Sequence, residues 1–270
     1  MSHPIDRSDL RQVILEAPEQ FAVGFKLSKH IRLEGKFDTV MFSGMGGSAL
    51  PADLLRTYMD DIGLRFPDFP VVTIVQNRMY GLPKRRQGKV LHFVCSYSGN
   101  TEETLEALKA LITSGEPAIG VSSGGQVEAI CHEHGIQHIK LPTPNPSFQP
   151  RMGTGYFIGA FLQVFMASGM IPDIREEVLS AVARIGEKRL EIEKKSKALA
   201  ARLAKTTPIV YSGESYKSVA LVWKIKLNEN AKTPAFWNVF PELNHNEMVG
   251  WTLPQGKFTV LLLRDPADHP

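Results

Sequence analysis

Residues 90–104 read Val90-Leu-His-Phe-Val-Cys-Ser-Tyr-Ser-Gly-Asn-Thr-Glu-Glu-Thr104, and they are the most informative part of the sequence for the fold. An apolar run over residues 90–95 ends abruptly in a turn of small hydroxyl residues. A helical pattern follows, with leucine or isoleucine at positions 105, 108, 111 and 112 on one face. The stretch therefore predicts a buried strand, a polar turn and a helix start, one directly after another.

Three hydroxyl residues, Ser96, Ser98 and Thr101, surround the predicted helix start. The first N–H groups of a helix lack internal partners, and the helix dipole places partial positive charge there. Gly99 would let the backbone approach a ligand closely. The turn is thus typical of a cradle for a phosphate monoester, formed without a lysine. Ser, Asn and Thr are also ordinary helix caps, so a merely capped helix is the alternative.

Composition and charge narrow the class of protein. The chain has 270 residues, enough for one large domain or two ordinary ones. Its net charge of +3 is too small to indicate a nucleic-acid surface. Two cysteines, Cys95 and Cys131, cannot form a disulfide framework, and the first residues are too polar for a secretory signal. We therefore expect a cytoplasmic protein.

Residues 152–172 contain no charged side chain and are long enough to span a bilayer. They also contain glycines, a glutamine and hydroxyl residues, and no second such stretch exists in the sequence. A buried interdomain or interface helix is the better interpretation, and we predict no membrane partner.

Short apolar strands alternate with helices along the first half, which predicts a parallel sheet covered on both faces. Residues 39–43 form a predicted strand before a glycine-rich turn and a helix from Ala49. The same pattern returns at residues 208–213, and residues 258–264 take the place of the third strand. One long amphipathic helix over residues 174–205 is expected to link the halves. The sequence stops where the second half would continue, so we expect that half to be incomplete.

The second half carries a dense polar block over residues 228–248, interleaved with aromatic residues, which indicates a lined cleft. It offers a carboxylate, Glu229, and an imidazole, His245. An aldose–ketose isomerase needs one group to open the sugar ring and another to move a proton between C2 and C1. Taken alone, Glu229 could be the exposed end of a helix and His245 a structural histidine. Arg151 could equally neutralise a helix end.

The turn Ser96-Tyr-Ser-Gly-Asn-Thr-Glu-Glu-Thr104 resembles the signature of the sugar isomerase (SIS) domain family. Together with Asn228-Glu-Asn-Ala-Lys232, Glu242-Leu-Asn-His-Asn-Glu247 and Pro150-Arg151, it resembles the bifunctional phosphoglucose/phosphomannose isomerase family. This resemblance implies an α/β fold of two SIS-type three-layer halves with parallel sheets. The expected domains are residues 1–172, a linking helix at 173–206, and an incomplete second SIS domain at 207–270.

The resemblance also implies an activity and a set of site residues. The activity is conversion of glucose 6-phosphate, with mannose 6-phosphate as a second possible substrate, to fructose 6-phosphate through a cis-enediol, a reaction of glycolysis and gluconeogenesis. Its implied catalytic groups are Glu229 as the C2/C1 base, His245 for ring opening and Arg151 for the enediolate. The implied substrate contacts are Ser96, Ser98 and Thr101 for the phosphate and Gly46, Gly47 and Ser48 for the sugar. A homodimer is implied in which the neighbouring subunit supplies the imidazole, while a non-catalytic sugar-phosphate-binding or regulatory protein remains the alternative.

We expect neither a cofactor nor a metal. Residues 44–49 satisfy the G-x-G-x-x-A dinucleotide pattern between a strand and a helix. That pattern also requires an acidic residue at the end of the second strand, where this sequence has Gln76, Asn77 and Arg78. His245 and Glu247 resemble part of a metal motif, but no second histidine stands at i+4. We assign Glu242 and Glu247 to supporting roles.

Overall fold

The computed structural model describes residues 5–70, 72–84, 88–253 and 256–267. The sequence also predicts a strand over residues 71–75, whose first residue, Val71, lies outside these ranges, as do the terminal residues 1–4 and 268–270. The chain divides into two compact units, Met1–Glu187 and Lys188–Pro270. The boundary falls inside the segment that the sequence predicted to be one linking helix.

The first unit holds a five-stranded parallel sheet in the order β2-β1-β3-β4-β5. Its strands are β1 (Thr39–Gly44), β2 (Thr73–Asn77), β3 (Val90–Cys95), β4 (Ala118–Ser122) and β5 (Gln137–Lys140). Its helices are α1 (Leu10–Leu15), α2 (Glu19–Leu27), α3 (Gly46–Arg65), α4 (Glu102–Ser114), α5 (Gly125–Glu133), α6 (Thr154–Ala167) and α7 (Arg175–Glu187). All six residues of β3 are buried, as expected of a central parallel strand. The predicted parallel α/β fold is confirmed.

Residues 154–167 of the apolar segment 152–172 form α6, which packs in the core of the first unit. Phe161 packs on Phe42 of β1 and Phe93 of β3, with ring centroids 4.7 and 5.0 Å away. Aromatic contacts of this kind add about 0.5–1.5 kcal/mol each beyond the burial of area. Among the described residues, no helix is long and apolar enough to cross a membrane. The helix is thus a core element of one unit, where the sequence suggested an interdomain or interface helix.

The predicted linking helix is two helices. α7 ends at Glu187, and α8 (Arg189–Leu203) begins after Lys188, whose backbone leaves helical geometry. Val178 and Val182 of α7 are buried in the core of the first unit, whereas α8 has no buried residue. The amphipathic pattern was therefore correct for α7, and α8 belongs to the second unit.

The second unit repeats the strand order of the first half. Its sheet is parallel in the order β7-β6-β8, which corresponds to β2-β1-β3. The strands are β6 (Thr207–Ser212), β7 (Phe236–Val239) and β8 (Phe258–Leu263), and the helices after α8 are α9 (Lys217–Glu229) and α10 (Glu247–Gly250). The sequence repeat between residues 39–44 and 208–213 thus marks β1 and β6, which hold equivalent places between their neighbouring strands.

Candidate active site

The strand order of the first unit locates a ligand crevice. The chain leaves β1 towards β2 on one side and then returns to β3 on the other. In open parallel sheets, ligands bind outside the carboxyl ends of the strands at such a switch point. β1 ends at Gly44 and β3 ends at Cys95, and the two strands are paired at those residues. The Gly46–Ser48 segment and the hydroxyl turn therefore follow neighbouring strand ends.

The three predicted hydroxyls converge at the end of β3. Ser96 Oγ lies 2.8 Å from Thr101 Oγ1 and 3.5 Å from Ser98 Oγ. Ser96 is buried, Thr101 is half-buried and Ser98 is exposed. The cluster thus runs from the strand end to the surface, and it can donate several hydrogen bonds to one group of oxygen atoms.

The Thr101 hydroxyl bonds to Ser96 and makes no capping hydrogen bond to α4. Met45, which precedes α3, makes no side-chain cap either. Two helix N-termini at adjacent strand ends therefore present backbone N–H groups without a side-chain cap from these positions, an arrangement that favours an anion.

Gly46, Gly47 and Ser48 form the first turn of α3, which begins three residues earlier than the sequence predicted. Gly46 has a φ of 48°, in the left-handed region that favours glycine. The Ser48 hydroxyl accepts a hydrogen bond of 2.9 Å from the backbone N–H of Tyr97. One side chain therefore ties the glycine-rich turn to the hydroxyl turn.

Arg151 lies on a short 3₁₀ turn, Pro150–Met152, whose backbone is fixed from two sides. A Cβ atom on Gly47 would lie 2.6 Å from the Arg151 backbone nitrogen, so only glycine allows this contact. On the other side, Gln20 donates to the Met152 carbonyl at 2.9 Å and accepts from the Gly155 N–H at 3.1 Å. The Arg151 side chain is half-buried and donates to Gln149 at 3.3 Å.

Glu229 is the last residue of α9 in the second unit, and it is half-buried. Directly after it the chain turns back, because Asn228 Nδ2 donates to the Thr233 carbonyl at 2.9 Å and Lys232 Nζ donates to the Glu229 carbonyl at 2.7 Å. This turn fixes the backbone at the carboxylate. The polar block 228–248 thus begins with a defined structure.

His245 ends a 3₁₀ turn, Glu242–His245, and its side chain is exposed. The turn is held on one side by Leu243, which is fully buried. On the other side Glu247 is bound at both oxygens, by the Tyr211 hydroxyl at 2.5 Å and by Asn238 Nδ2 at 2.7 Å. Both carboxylate oxygens of Glu247 thus accept hydrogen bonds that hold the chain just after the His245 turn.

Tyr211, at the centre of this network, has an altered acidity. Burial, and then the hydrogen bond to Glu247, raise the pKa of Tyr211 to about 12. Trp251 Nε1 donates to the same hydroxyl at 3.3 Å. A nearby cavity of about 430 Å³ is lined by Glu247 together with Ile209, Lys224, Phe236 and Trp237. The Tyr211 side chain therefore stays protonated and donates to the carboxylate at neutral pH.

Two observations concern the residues that a nicotinamide or a metal would need. Asn77 stands at the end of β2, where a ribose-binding acid would be needed, and its amide donates to Ser43 Oγ at 3.0 Å and the Gly81 carbonyl at 2.7 Å. Within the described ranges, no three His, Cys, Asp or Glu side chains group as metal ligands would.

Sequence reasoning missed Gln20 and Tyr211. Each supports a candidate residue or turn from a distant part of the chain: Gln20 contacts residues more than 130 positions away. Only Tyr211 had a usable signal, since a tyrosine at the end of a buried strand needs a partner for its hydroxyl.

The chain is similar to several known proteins. Residues 192–270 match the model of the bacterial phospho-glucose isomerase C-terminal SIS domain. A bifunctional phosphoglucose/phosphomannose isomerase from Caldicellulosiruptor bescii is 33% identical over 271 residues, covering 95% of this chain and 77% of that protein. A protein of the same name from Aquifex aeolicus is 31% identical, covering 85% and 68%.

Solved structures show the same fold. The tagatose-6-phosphate ketose/aldose isomerase of Escherichia coli aligns with a TM-score of 0.61 at 14% identity, covering 93% of this chain and 71% of that one. The C-terminal domain of a Francisella tularensis glucosamine-fructose-6-phosphate aminotransferase aligns with a TM-score of 0.65 at 13% identity, covering 94% and 74%. The parallel sheets, together with the family-model match, define a sugar isomerase (SIS) protein.

Within that class, the chain belongs to the bifunctional phosphoglucose/phosphomannose isomerase family. It is an isomerase of the phosphosugar type.

Proposed function

We propose that the protein interconverts glucose 6-phosphate, and also mannose 6-phosphate, with fructose 6-phosphate. The observation that carries this proposal is the Thr101 hydroxyl, which bonds Ser96 at 2.8 Å and leaves the start of α4 uncapped. The hydroxyls and backbone N–H groups there can hold a phosphate without a cation. The first turn of α4 also contains two carboxylates, Glu102 and Glu103. A phosphate monoester at C6 suits such a site.

In the proposed mechanism the substrate ring opens first, with His245 moving the proton between the ring oxygen and the anomeric hydroxyl. Glu229 then removes the proton from C2 of the open-chain aldose. The electron pair of that C–H bond forms the C1–C2 double bond of a cis-enediol, and the C1 carbonyl oxygen gains a proton. Glu229 then returns the proton to C1 while the C2 hydroxyl loses its own proton, which balances the one gained at O1, and the C2 carbonyl of the ketose forms. Arg151 stabilises the negative charge that develops on the enediolate oxygens.

The direct test of this mechanism is exchange of the C2 hydrogen with solvent, followed by NMR. Glu229→Gln keeps the size of the side chain but removes its basic lone pair, so the exchange rate should fall about 10²–10⁴-fold. Glu191→Gln, at an exposed position of α8, is the control and should exchange at the wild-type rate. Undiminished exchange in Glu229→Gln would move the base elsewhere, with Glu242 and Glu247 next to be tested.

We further propose a homodimer in which His245 serves the site of the neighbouring subunit, because its ring is exposed on its own subunit. Glu229→Gln and His245→Ala should each, when expressed alone, convert the cyclic sugar far more slowly than the wild type. Co-expression should restore about a quarter of the wild-type activity, because half of the dimers are mixed and each mixed dimer has one intact site of two. No recovery in mixed dimers would place both residues in the same subunit's site.

A sugar-phosphate-binding protein without catalysis is the alternative function. It would bind a 5-phospho-arabinonate-like enediolate mimic yet show no C2 exchange. A coupled assay with glucose 6-phosphate and mannose 6-phosphate separates the two functions and also decides whether both substrates are accepted.

A cytoplasmic location forms part of the same proposal. Cys95 and Cys131 are both buried and unpaired, as thiols in a reducing compartment are. Cell fractionation with an antibody against the protein would test it, and recovery in a membrane or secreted fraction would contradict it.

A further inference from the structure

The hydroxyl turn is held from outside by the start of α5. The Gly99 carbonyl accepts a hydrogen bond of 3.0 Å from the backbone N–H of Val127. The Asn100 side-chain oxygen accepts one of 3.2 Å from the N–H of Gln126. Two backbone donors in the first turn of α5 are therefore satisfied by the turn that carries Ser98.

The backbones of these two segments also touch directly. Gly99 has a φ of 72°, and a Cβ atom on it would lie 1.8 Å from the Gly124 carbonyl oxygen. A Cβ atom on Gly125 would lie 2.4 Å from the Ser98 carbonyl oxygen. No side chain separates the segments, so a displacement of the Gly124 carbonyl must be passed on to the hydroxyl turn.

The Gly124 carbonyl is fixed in turn by Ser122, which is fully buried at the end of β4. Ser122 Oγ donates to the Gly124 carbonyl at 2.8 Å and lies 2.9 Å from His138 Nε2 on β5. The histidine ring reaches the serine across Gly120, where a Cβ atom would lie 3.2 Å from His138 Cδ2.

The direction of these hydrogen bonds follows from counting protons. The single hydrogen of the Ser122 hydroxyl goes to the Gly124 carbonyl, so His138 must carry its own hydrogen on Nε2 and donate it to Ser122 Oγ. Burial lowers the pKa of His138 to about 4, so the ring is neutral at pH 7. The chain of donors thus runs from His138 through Ser122 to Gly124.

We propose that Ser122 and His138 are positioning residues for the phosphate group, acting through Gly124 on the turn that carries Ser98. Neither side chain touches the substrate in this role. The inference rests on the proposed function of the hydroxyl turn, and it adds two residues from β4 and β5 to the residues that determine phosphate affinity.

The test compares Ser122→Ala with Ser28→Ala, which also removes a buried serine hydroxyl bonded to a backbone carbonyl, in this case that of Ala160 at 2.9 Å. The probes are inorganic phosphate, as a competitive inhibitor, and fructose 6-phosphate, through its KM. Thermal unfolding is recorded for each variant. We expect Ser122→Ala to weaken phosphate about 3- to 10-fold and Ser28→Ala to leave phosphate affinity unchanged, although both lower Tm.

His138→Phe keeps a ring but removes the donor, and Ser122 can still bond to Gly124. We therefore expect a smaller loss of phosphate affinity than in Ser122→Ala. Equal phosphate affinity in wild type and Ser122→Ala would overturn the positioning role and leave the proposed function standing. If the wild-type protein binds neither phosphate nor fructose 6-phosphate, the proposed function fails and the positioning role fails with it.

Discussion

Gly47 lies against the backbone of Arg151 so closely that a Cβ atom would be 2.6 Å from the arginine nitrogen and 2.7 Å from its Cα. The first turn of α3 and the segment with the candidate enediolate cation are therefore in direct backbone contact. The Arg151 backbone can hold this position only because residue 47 has no Cβ atom.

Gly47→Ala should separate α3 from the Arg151 segment. We expect the variant to lose about 1–3 kcal/mol of stability, as overpacked sites do. Displacement of a catalytic group by about 1 Å can cost about 100-fold in rate, so kcat should fall as well. Gly63→Ala is the control, because it lies on the same helix with open space around it and should raise the free energy of unfolding by up to about 1 kcal/mol. Normal kcat in a destabilised Gly47→Ala would contradict this role.

Removal of the hydroxyls of Ser98 and Thr101 should raise the KM for fructose 6-phosphate. Each hydrogen bond to a charged group contributes about 1.5–3 kcal/mol, so the double alanine variant should show a rise of 100-fold or more, with the fold intact. Thr113→Ala, at the exposed end of the same helix, is the matched control. An unchanged KM, or equal binding of unphosphorylated fructose, would contradict the phosphate assignment.

His245→Ala should affect the two steps of the reaction differently. Only the cyclic sugar needs ring opening, so its turnover should fall by more than that of the open-chain form. Rapid-mixing kinetics with each form measures the difference. A histidine that merely stabilises the fold would instead lower both rates equally and reduce Tm.

Tyr211→Phe should loosen the turn that carries His245, because Glu247 loses the hydrogen bond of 2.5 Å that holds one of its oxygens. A hydrogen bond to a charged group contributes about 1.5–3 kcal/mol, and urea unfolding should show a loss of this size. Tyr216→Phe, on a 3₁₀ turn of the same unit, is the control. Unchanged stability in Tyr211→Phe would show that the network contributes nothing net.

The acidity of His138 predicts how stability depends on pH. Burial lowers its pKa in the folded protein from 6.5 to about 4, an effect that Glu128 opposes and that Lys140, His132 and His30 reinforce. Between these values the unfolded chain binds a proton that the folded chain does not. The contribution of the neutral, buried His138 ring to the free energy of unfolding is therefore fully present above pH 6.5, and it is lost as the pH falls towards about 4.

His138→Gln removes this titration. Urea unfolding at pH 7, 5.5 and 4.5 should show a smaller decline in stability for His138→Gln than for the wild type. His134→Gln, at an exposed position, should follow the wild-type curve. Parallel curves for the wild type and His138→Gln would mean that the ring is not buried in its neutral form.

The sequence predicted the parts of the fold that depend on local pattern. The strand–turn–helix unit at residues 90–114 and the repeat at residues 208–213 were readable because apolar runs, hydroxyls and glycines follow one another along the chain. The break at Lys188 was not readable, because the apolar spacing continues across it. It becomes visible only when Val178 and Val182 are seen to pack in the first unit while α8 buries nothing.

The candidate site shows the same difference between features set by local sequence and features set by long-range contacts. Ser96, Ser98 and Thr101 are neighbours in sequence, so their convergence could be predicted. The supports given by Gln20 to the Arg151 segment and by His138 to the hydroxyl turn join residues far apart in the chain, and only the folded structure brings them together. The roles of Glu229 and His245 remain predictions from resemblance.

The uncapped start of α4 has a consequence for how the proposed reaction would be driven. Phosphate at C6 takes no part in the bond changes at C1 and C2. It would nevertheless accept hydrogen bonds from backbone N–H groups in the first turn of α4, which Thr101 does not cap. Binding energy from such a non-reacting group can be used to orient and distort the reacting end of a substrate. A hexose without its phosphate would then turn over more slowly even at a saturating concentration, because phosphate binding would contribute to the rate as well as to affinity.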